Sequence, residues 1–439
     1  MEVDCLVEAK WIIPVEPTET VLHQHAIAID KGIILDLLPA CQARLQYQPR
    51  QFVTLNSHVI IPGLVNLHTH AAMTLMRGMA DDLPLMSWLN DHIWPTENRF
   101  ADNQFVWDGT QLACAEMIKS GITCFNDMYF FPESSTDAAI AAGLRANIGM
   151  VVIDFPTNYA SDADDYLSKG LTLRDQYQHH PLLSFCFAPH APYTVSDKTF
   201  RRIITYAEQL GIPIHTHLHE TRDEIRISME THGMRPIERM HQLGLLGPNL
   251  IAVHMIHLTD HEIKLIQRYD CNVAHCPSSN MKLASGFAPV PQLLDHNINV
   301  GLGTDGAASN NRLDVLEEMR QAALIAKATS QLADMLPAHQ VLKMATLNGA
   351  QALGLGDKIG SLVTGKMADM TAIDLSDVNL SPCYDPTSHL IYCAGREHVS
   401  HVWVNGRMLL EGKKLTTLNE QNLRQRAVFW QERIASTTQ

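Results

Sequence analysis

Six side chains, far apart in the sequence, have the chemistry to hold a divalent cation and to work on a water beside it. His68-Thr-His70 places two imidazoles at i and i+2, a spacing that in a β-strand points both to one side of the sheet. His217-Leu-His-Glu220, His254 and Asp305 each follow a short apolar run. Neutral imidazole nitrogen and carboxylate oxygen suit a borderline ion such as Zn²⁺. A lone His-x-His means little in a chain with 23 histidines. The weight comes from all these residues falling where strands are expected to end.

Such residues need a scaffold that brings distant strand ends to one rim. Eight short apolar runs, 59–67, 122–125, 146–153, 182–187, 213–217, 250–253, 271–274 and 298–302, alternate with longer helical patterns. That alternation is the pattern of βα units on a parallel sheet. Eight of them predict an α/β fold closed as a (β/α)8 TIM barrel, whose functional side chains stand at the C-terminal mouth. His215, His217 and His219 alternate along the fifth run, and all could face inward. The spacing to Glu220 favours His217 as the ligand, with the carboxylate over the open side. His215 and His219 are left to packing and supporting hydrogen bonds. His257, His275 and Cys276 read as structural.

The two chain ends have another texture. Short strands at 6–10, 26–30 and 33–37, with Lys31-Gly32 as a hairpin turn, are echoed by 370–374 and 399–404 before Asn405-Gly406. Because termini commonly lie close together, residues 1–58 and 360–415 are expected to form one small β-sandwich domain. The barrel then spans 59–359, and 416–439 is a C-terminal helix. Two glycine patterns are decoys. Gly301, Gly303 and Gly306 match GxGxxG but follow the last strand and put Asp305 where a pyrophosphate would lie. Residues 360–366 end in Gly365-Lys366 like a P-loop, but Met367 stands where Ser or Thr must hold Mg²⁺.

With 439 residues, 46% apolar and 18% charged, the chain has the composition of a compact globular protein. A net charge of −14 without a Lys/Arg cluster argues against nucleic-acid or anionic-membrane partners. The acidic start Met1–Lys10 is no secretory signal, and no run reaches the ~18 apolar residues of a membrane span, so a cytoplasmic location is expected. Nine cysteines form no CxxC pair, and Cys114, Cys124, Cys186 and Cys271 sit in apolar stretches, which reads as reduced, buried thiols.

Several segments carry a resemblance. They are Pro62-Gly-Leu-Val-Asn-Leu-His68-Thr-His70, Ser87-Trp-Leu-Asn-Asp-His-Ile-Trp-Pro-Thr-Glu97, His217-Leu-His-Glu220, Cys276-Pro-Ser-Ser-Asn280 and Gly301-Leu-Gly-Thr-Asp305-Gly-Ala-Ala-Ser-Asn310. Together they resemble the amidohydrolase superfamily, and within it the 5-methylthioadenosine/S-adenosylhomocysteine deaminases, in the branch that also holds the triazine hydrolases. The resemblance implies one Zn²⁺ per subunit on His68, His70, His217 and Asp305. It also implies catalytic Glu220, His254 and Asp305, and a substrate held by Glu97 and His190 together with Glu220 and Asp305. Binuclear members bridge two metals with a carboxylated lysine after the fourth strand, and 182–190 contains no lysine, so a mononuclear site is expected. A homo-oligomer, dimer or tetramer, is implied by the same resemblance.

The chemistry expected of that set is hydrolytic deamination. Zinc lowers the pKa of its water from 15.7 toward ~7, Asp305 takes the proton, His254 orients the nucleophile, and a protonated Glu220 donates to N1 of an adenine. Glu97 would accept from ribose hydroxyls and His190 donate to the purine edge. The expected substrates are methylthioadenosine, S-adenosylhomocysteine and adenosine, with a lip of Met73, Met76, Met79, Met86 and Trp88 as either a thioether seat or plain core. The same machinery acting on guanine, a pterin or a triazine is the alternative. A dead barrel serving as a scaffold is the reading from another class, and metal analysis separates it. No Lys or Arg occurs between Arg145 and Lys169, which leaves the far end of the substrate unassigned.

Overall fold

The computed structural model describes residues 1–436 and resolves the alternating texture into two eight-stranded sheets. Four strands open the chain: β1 (Glu2–Ile12), β2 (Leu22–Asp30), β3 (Ile33–Pro39) and β4 (Gln48–Pro62). The barrel follows with β5 (Leu64–Thr69), β6 (Ile122–Tyr129), β7 (Arg145–Val152), β8 (Leu183–Pro189), β9 (Ile214–Leu218), β10 (Leu250–His254), β11 (Asn272–His275) and β12 (Asn299–Leu302). Each pairs in parallel with the next, and helices intervene, as expected of a (β/α)8 barrel.

β13 (Met370–Asp374), β14 (Val399–Val404), β15 (Arg407–Glu411) and β16 (Lys414–Leu415) return to the first sheet, in the order β16-β15-β14-β13-β4-β1-β2-β3. Both chain ends therefore build the small domain. Its outer strand β3 folds back onto the segment before β13, with Ile34 N donating to Lys366 O (2.9 Å) and Ala368 N to Gly32 O (2.8 Å). Val7, Ile29, Ile60, Met370 and Trp403 are enclosed as a shared core. The P-loop-like stretch is thus part of this closure.

One expected run divides. Residues 59–67 read as a single strand, but 59–62 finish β4 and pair with β13, and the barrel begins only at Leu64. The change of sheet falls on Gly63, where a Cβ would lie 2.0 Å from Thr123 Oγ1. A second close approach explains the GxGxxG match. Closure between β12 and β5 runs through Asp305 N donating to His68 O (2.9 Å), Asn66 Nδ2 donating to Thr304 Oγ1 (2.8 Å) and Thr304 N donating to Asn66 Oδ1 (2.9 Å). At Gly303 a Cβ would stand 2.8 Å from His68 N, so the seam closes only on a bare backbone.

Two features tie the parts together. Arg145, at the start of β7, makes a bidentate pair with Asp369 (2.7 and 3.0 Å) beside the small sheet, both side chains buried. The C-terminal helix Glu420–Ala435 lies on the helix Asn103–Lys119, where Asp108 Oδ2 accepts from Trp430 Nε1 (2.8 Å) and Arg426 Nη2 (2.6 Å). Residues 437–439 of the expected helix lie outside the described residues. Among the described residues no helix is long and apolar enough to cross a membrane. All nine cysteines are free, and Cys114, Cys124, Cys186 and Cys271 are buried as expected.

Candidate active site

The strand ends deliver the imidazoles to one place. His68 and His70 lie at the end of β5, His217 near the end of β9, His254 as the last residue of β10, and Asp305 three residues beyond β12. The His68 ring centroid is 4.8, 4.9 and 5.8 Å from those of His70, His217 and His254. Asp305 Oδ1 is 3.2 Å from His68 Nε2 and 3.3 Å from His70 Nε2. Two overlapping sets of possible ligand atoms, His68–His70–Asp305 and His68–His217–His254, share His68.

Backbone strain marks the same positions. His254 (φ 74°) and Asp305 (φ 61°) are non-glycine residues in the left-handed region, which costs on the order of 1 kcal/mol or more and persists where surroundings over-determine it. For Asp305 the surroundings are the seam bonds to β5.

For His70 and His217 the second ring nitrogen meets a backbone carbonyl. His70 Nδ1 donates to Met128 O (2.6 Å) and His217 Nδ1 to His190 O (2.6 Å), since a carbonyl can only accept; this leaves Nε2 of each ring facing Asp305 or the cavity, and, against burial, the Asp305 carboxylate pushes His70 up to about 9. His68 Nδ1 lies 2.9 Å from His215 Nε2, which gives His215 the supporting role expected of it. His68 Nε2 is fully buried and lacks a hydrogen-bond partner. A buried ring nitrogen without a hydrogen-bond partner, beside other imidazoles and a carboxylate, fits a bound N/O-seeking cation. Burial pushes His68 down to about 4 and His217 well below the usual imidazole range, so both are in the neutral, ligating form.

The acids face the same cavity, which measures about 170 Å³. Burial raises Glu220 above the usual carboxyl range and pushes Glu97 up to about 7. Glu220 Oε1 is 3.8 Å from His254 Nε2. Glu97 sits in the helix Trp94–Phe100 against Tyr129 and is 6% exposed, not a solvated surface acid. The His190 ring lines the cavity, its Nδ1 3.1 Å from Thr194 Oγ1. That hydroxyl has a second acceptor in Ala191 O, also at 3.1 Å. Only when it turns to His190 does His190 carry its hydrogen on Nε2. Of the expected lip, Met73 and Trp88 line the cavity, joined by Leu85, Trp94 and Phe155. Met76, Met79 and Met86 pack in the adjoining core.

Three supporting residues were given no role by the sequence. Ser279 Oγ donates to Asp305 Oδ2 (2.6 Å), and Asn280 Oδ1 lies 2.8 Å from His254 Nδ1. Glu224 accepts from the backbone N–H groups of His219 (2.9 Å) and Glu220 (2.8 Å). The pattern Thr221-x-x-Glu224, a helix-start signature, was a legible signal for the last; the first two sit inside the quoted Cys276–Asn280 segment. His219, by contrast, turns away to accept from Ile237 N (3.1 Å).

Comparison with known proteins agrees with this geometry. Residues 59–409 match the Amidohydrolase family. The chain is 47% identical to a 5-methylthioadenosine/S-adenosylhomocysteine deaminase of Saccharophagus degradans, over 98% of this chain and 97% of that one. A crystal structure of an adenosine deaminase from Xanthomonas campestris with bound zinc superposes with a TM-score of 0.98 at 46% identity, covering 99% of each chain. The atrazine chlorohydrolase of Arthrobacter aurescens, complexed with zinc, shares the fold with a TM-score of 0.89 at 23% identity, over 97% of this chain and 99% of that one.

Proposed function

We propose, on the premise that the chain belongs to the amidohydrolase family, that it is a zinc-dependent aminohydrolase of adenosine-type nucleosides. It converts 5′-methylthioadenosine and S-adenosylhomocysteine, with adenosine as a third substrate, to the inosine-type product and ammonia. The observation that carries this reading is the convergence of Asp305 Oδ1 on the Nε2 atoms of His68 and His70, at 3.2 and 3.3 Å, beside a cavity lined by His70, Asp305, Glu220 and Glu97. The deaminase names of its full-length relatives support the same reading.

His68, His70, His217 and Asp305 would hold the zinc. Bound there, zinc supplies the Lewis acidity that lets water ionise near neutral pH. Asp305 accepts the proton released by the attacking water. His254, its Nδ1 engaged by Asn280, offers the Nε2 lone pair to orient that water. Glu220, favoured in its protonated form by burial, donates to N1 of the adenine and makes C6 electrophilic. Water adds at C6, the C6–N bond breaks, the amine leaves as ammonia with the proton Asp305 took up, and the C6 hydroxyl proton passes to Glu220 as the carbonyl forms, restoring its protonated state. Glu97 accepts from the ribose hydroxyls and His190 engages the purine edge. The aromatic mouth of Trp88, Trp94 and Phe155 receives the 5′ substituent.

The same reading places the enzyme in the cytoplasm as a homodimer or tetramer, which light scattering on purified protein checks. The deciding experiment is a turnover comparison on zinc-loaded protein with methylthioadenosine, S-adenosylhomocysteine, adenosine and guanine, following ammonia. Release from the three nucleosides is expected. Turnover of the free base alone would remove the ribose role of Glu97 and the nucleoside reading with it.

A further inference from the structure

The segment that follows β11 enters the site with two consecutive side chains, and each engages a different member of the machinery. Ser279 Oγ donates to Asp305 Oδ2 at 2.6 Å; Asn280 Oδ1 stands 2.8 Å from His254 Nδ1. Both side chains are fully buried. We infer that Ser279 and Asn280 are paired positioning residues: Ser279 presents Asp305 to the metal, and Asn280 sets the tautomer and aim of the imidazole that orients the water.

The chemistry divides cleanly between the two. Asp305 Oδ1 faces His68 and His70 and also accepts from Gly306 N (2.7 Å). With Oδ2 held by Ser279, each carboxylate oxygen accepts a hydrogen bond that opposes rotation about the last bond. An amide oxygen toward His254 Nδ1 can only accept, so Nδ1 carries the hydrogen and Nε2 keeps its lone pair on the side of Glu220, 3.8 Å away.

The pair is itself clamped from behind. Glu318, buried in the helix Val315–Ser330, accepts from Ser278 N (3.0 Å) with one oxygen and from Asn310 Nδ2 (2.8 Å) with the other. Asn310 in turn donates to Thr304 O (2.7 Å). The loop after β11 and the loop after β12 are thus pinned to one carboxyl group, which fixes the Ser279–Asp305 distance. Partners that orient a metal site typically alter affinity or activity by about 10–100-fold when removed.

This inference rests on the zinc-site reading above, and its test separates the two residues by two readouts. Zinc affinity is measured on metal-stripped protein by competition with a chromogenic chelator, without substrate. Kinetics with methylthioadenosine follow on zinc-loaded protein. Ser279→Ala is expected to weaken zinc binding by about 10–100-fold. Asn280→Ala is expected to leave zinc affinity within about twofold while kcat falls by about 10–100-fold at nearly constant KM. Asn280→Asp, which keeps an oxygen at Nδ1, is expected to recover most of kcat. Wild-type zinc affinity in Ser279→Ala, or equal loss of zinc in Asn280→Ala, or no recovery in Asn280→Asp, would overturn the assignment. The chelator arm involves no nucleoside, so failure of the deaminase reading with intact zinc differences is a distinguishable result.

Discussion

Glu220 and Glu97 are both buried carboxyls, and their neighbours give them different tasks. Glu220 faces His254 and Asp305. Replacing it by Gln removes the donated proton but no ligand, so Glu220→Gln is expected to bind zinc normally while kcat falls by about 10²-fold or more. Metal analysis beside an ammonia assay checks both halves, and full activity would refute the proton-donor role. Glu97, pushed up to about 7 by burial, is protonated below that pH and ionised above it. Ribose hydroxyls donate best to the ionised form, so KM for methylthioadenosine is expected to fall as pH rises from 6 to 8, and Glu97→Gln to flatten that dependence. The six residues that the structure gathers at the strand ends were legible because imidazoles and acids at strand ends have little structural reason to recur together. The supports were not: Met128 O and His190 O are backbone atoms with no signature in residue type, and Ser279 and Asn280 become meaningful only once β11 is seen beside β10 and β12.

At the scale of elements, seven of the eight apolar runs became barrel strands nearly as read. The first, 59–67, did not, because apolar content cannot say which of two sheets a strand joins; that is decided at Gly63 by contact with Thr123. The C-terminal helix was foreseen as a helix, but its partner was not. Trp430 is 1% exposed and packs on Phe105 at 5.1 Å, in the same apolar cluster as Trp88, Ile93 and Phe100. These flank Glu97 in sequence, so the helix braces the segment that carries Glu97. Trp430→Ala is expected to lower unfolding free energy by about 3–5 kcal/mol, measured by urea denaturation, and to raise KM more than it lowers kcat. An unchanged KM in a destabilised variant would show that the helix supports the fold alone.

For the whole molecule, the small sheet and the barrel share the buried Arg145–Asp369 pair, and the barrel seam shares His68 and Asp305 with the candidate metal site. His68 and His70 end the first barrel strand, and Asp305 follows the last. An ion held between them would act as a clasp across the β12–β5 seam, and a ligand bound only by the native state stabilises it by about 4 kcal/mol at a thousandfold excess over its dissociation constant. Stripping zinc with a chelator is expected to lower Tm, and returning zinc to restore it. A Tm indifferent to zinc would place the ion elsewhere. The seam has a consequence for biosynthesis as well. Thr69, between the two leading histidines, and Asp305 are 236 positions apart in the chain, so a nascent polypeptide emerging from the ribosome cannot complete the coordination sphere until nearly the entire barrel has been made. Loading of the ion would then report a chain made past Asp305, and chains truncated before it would be left without it.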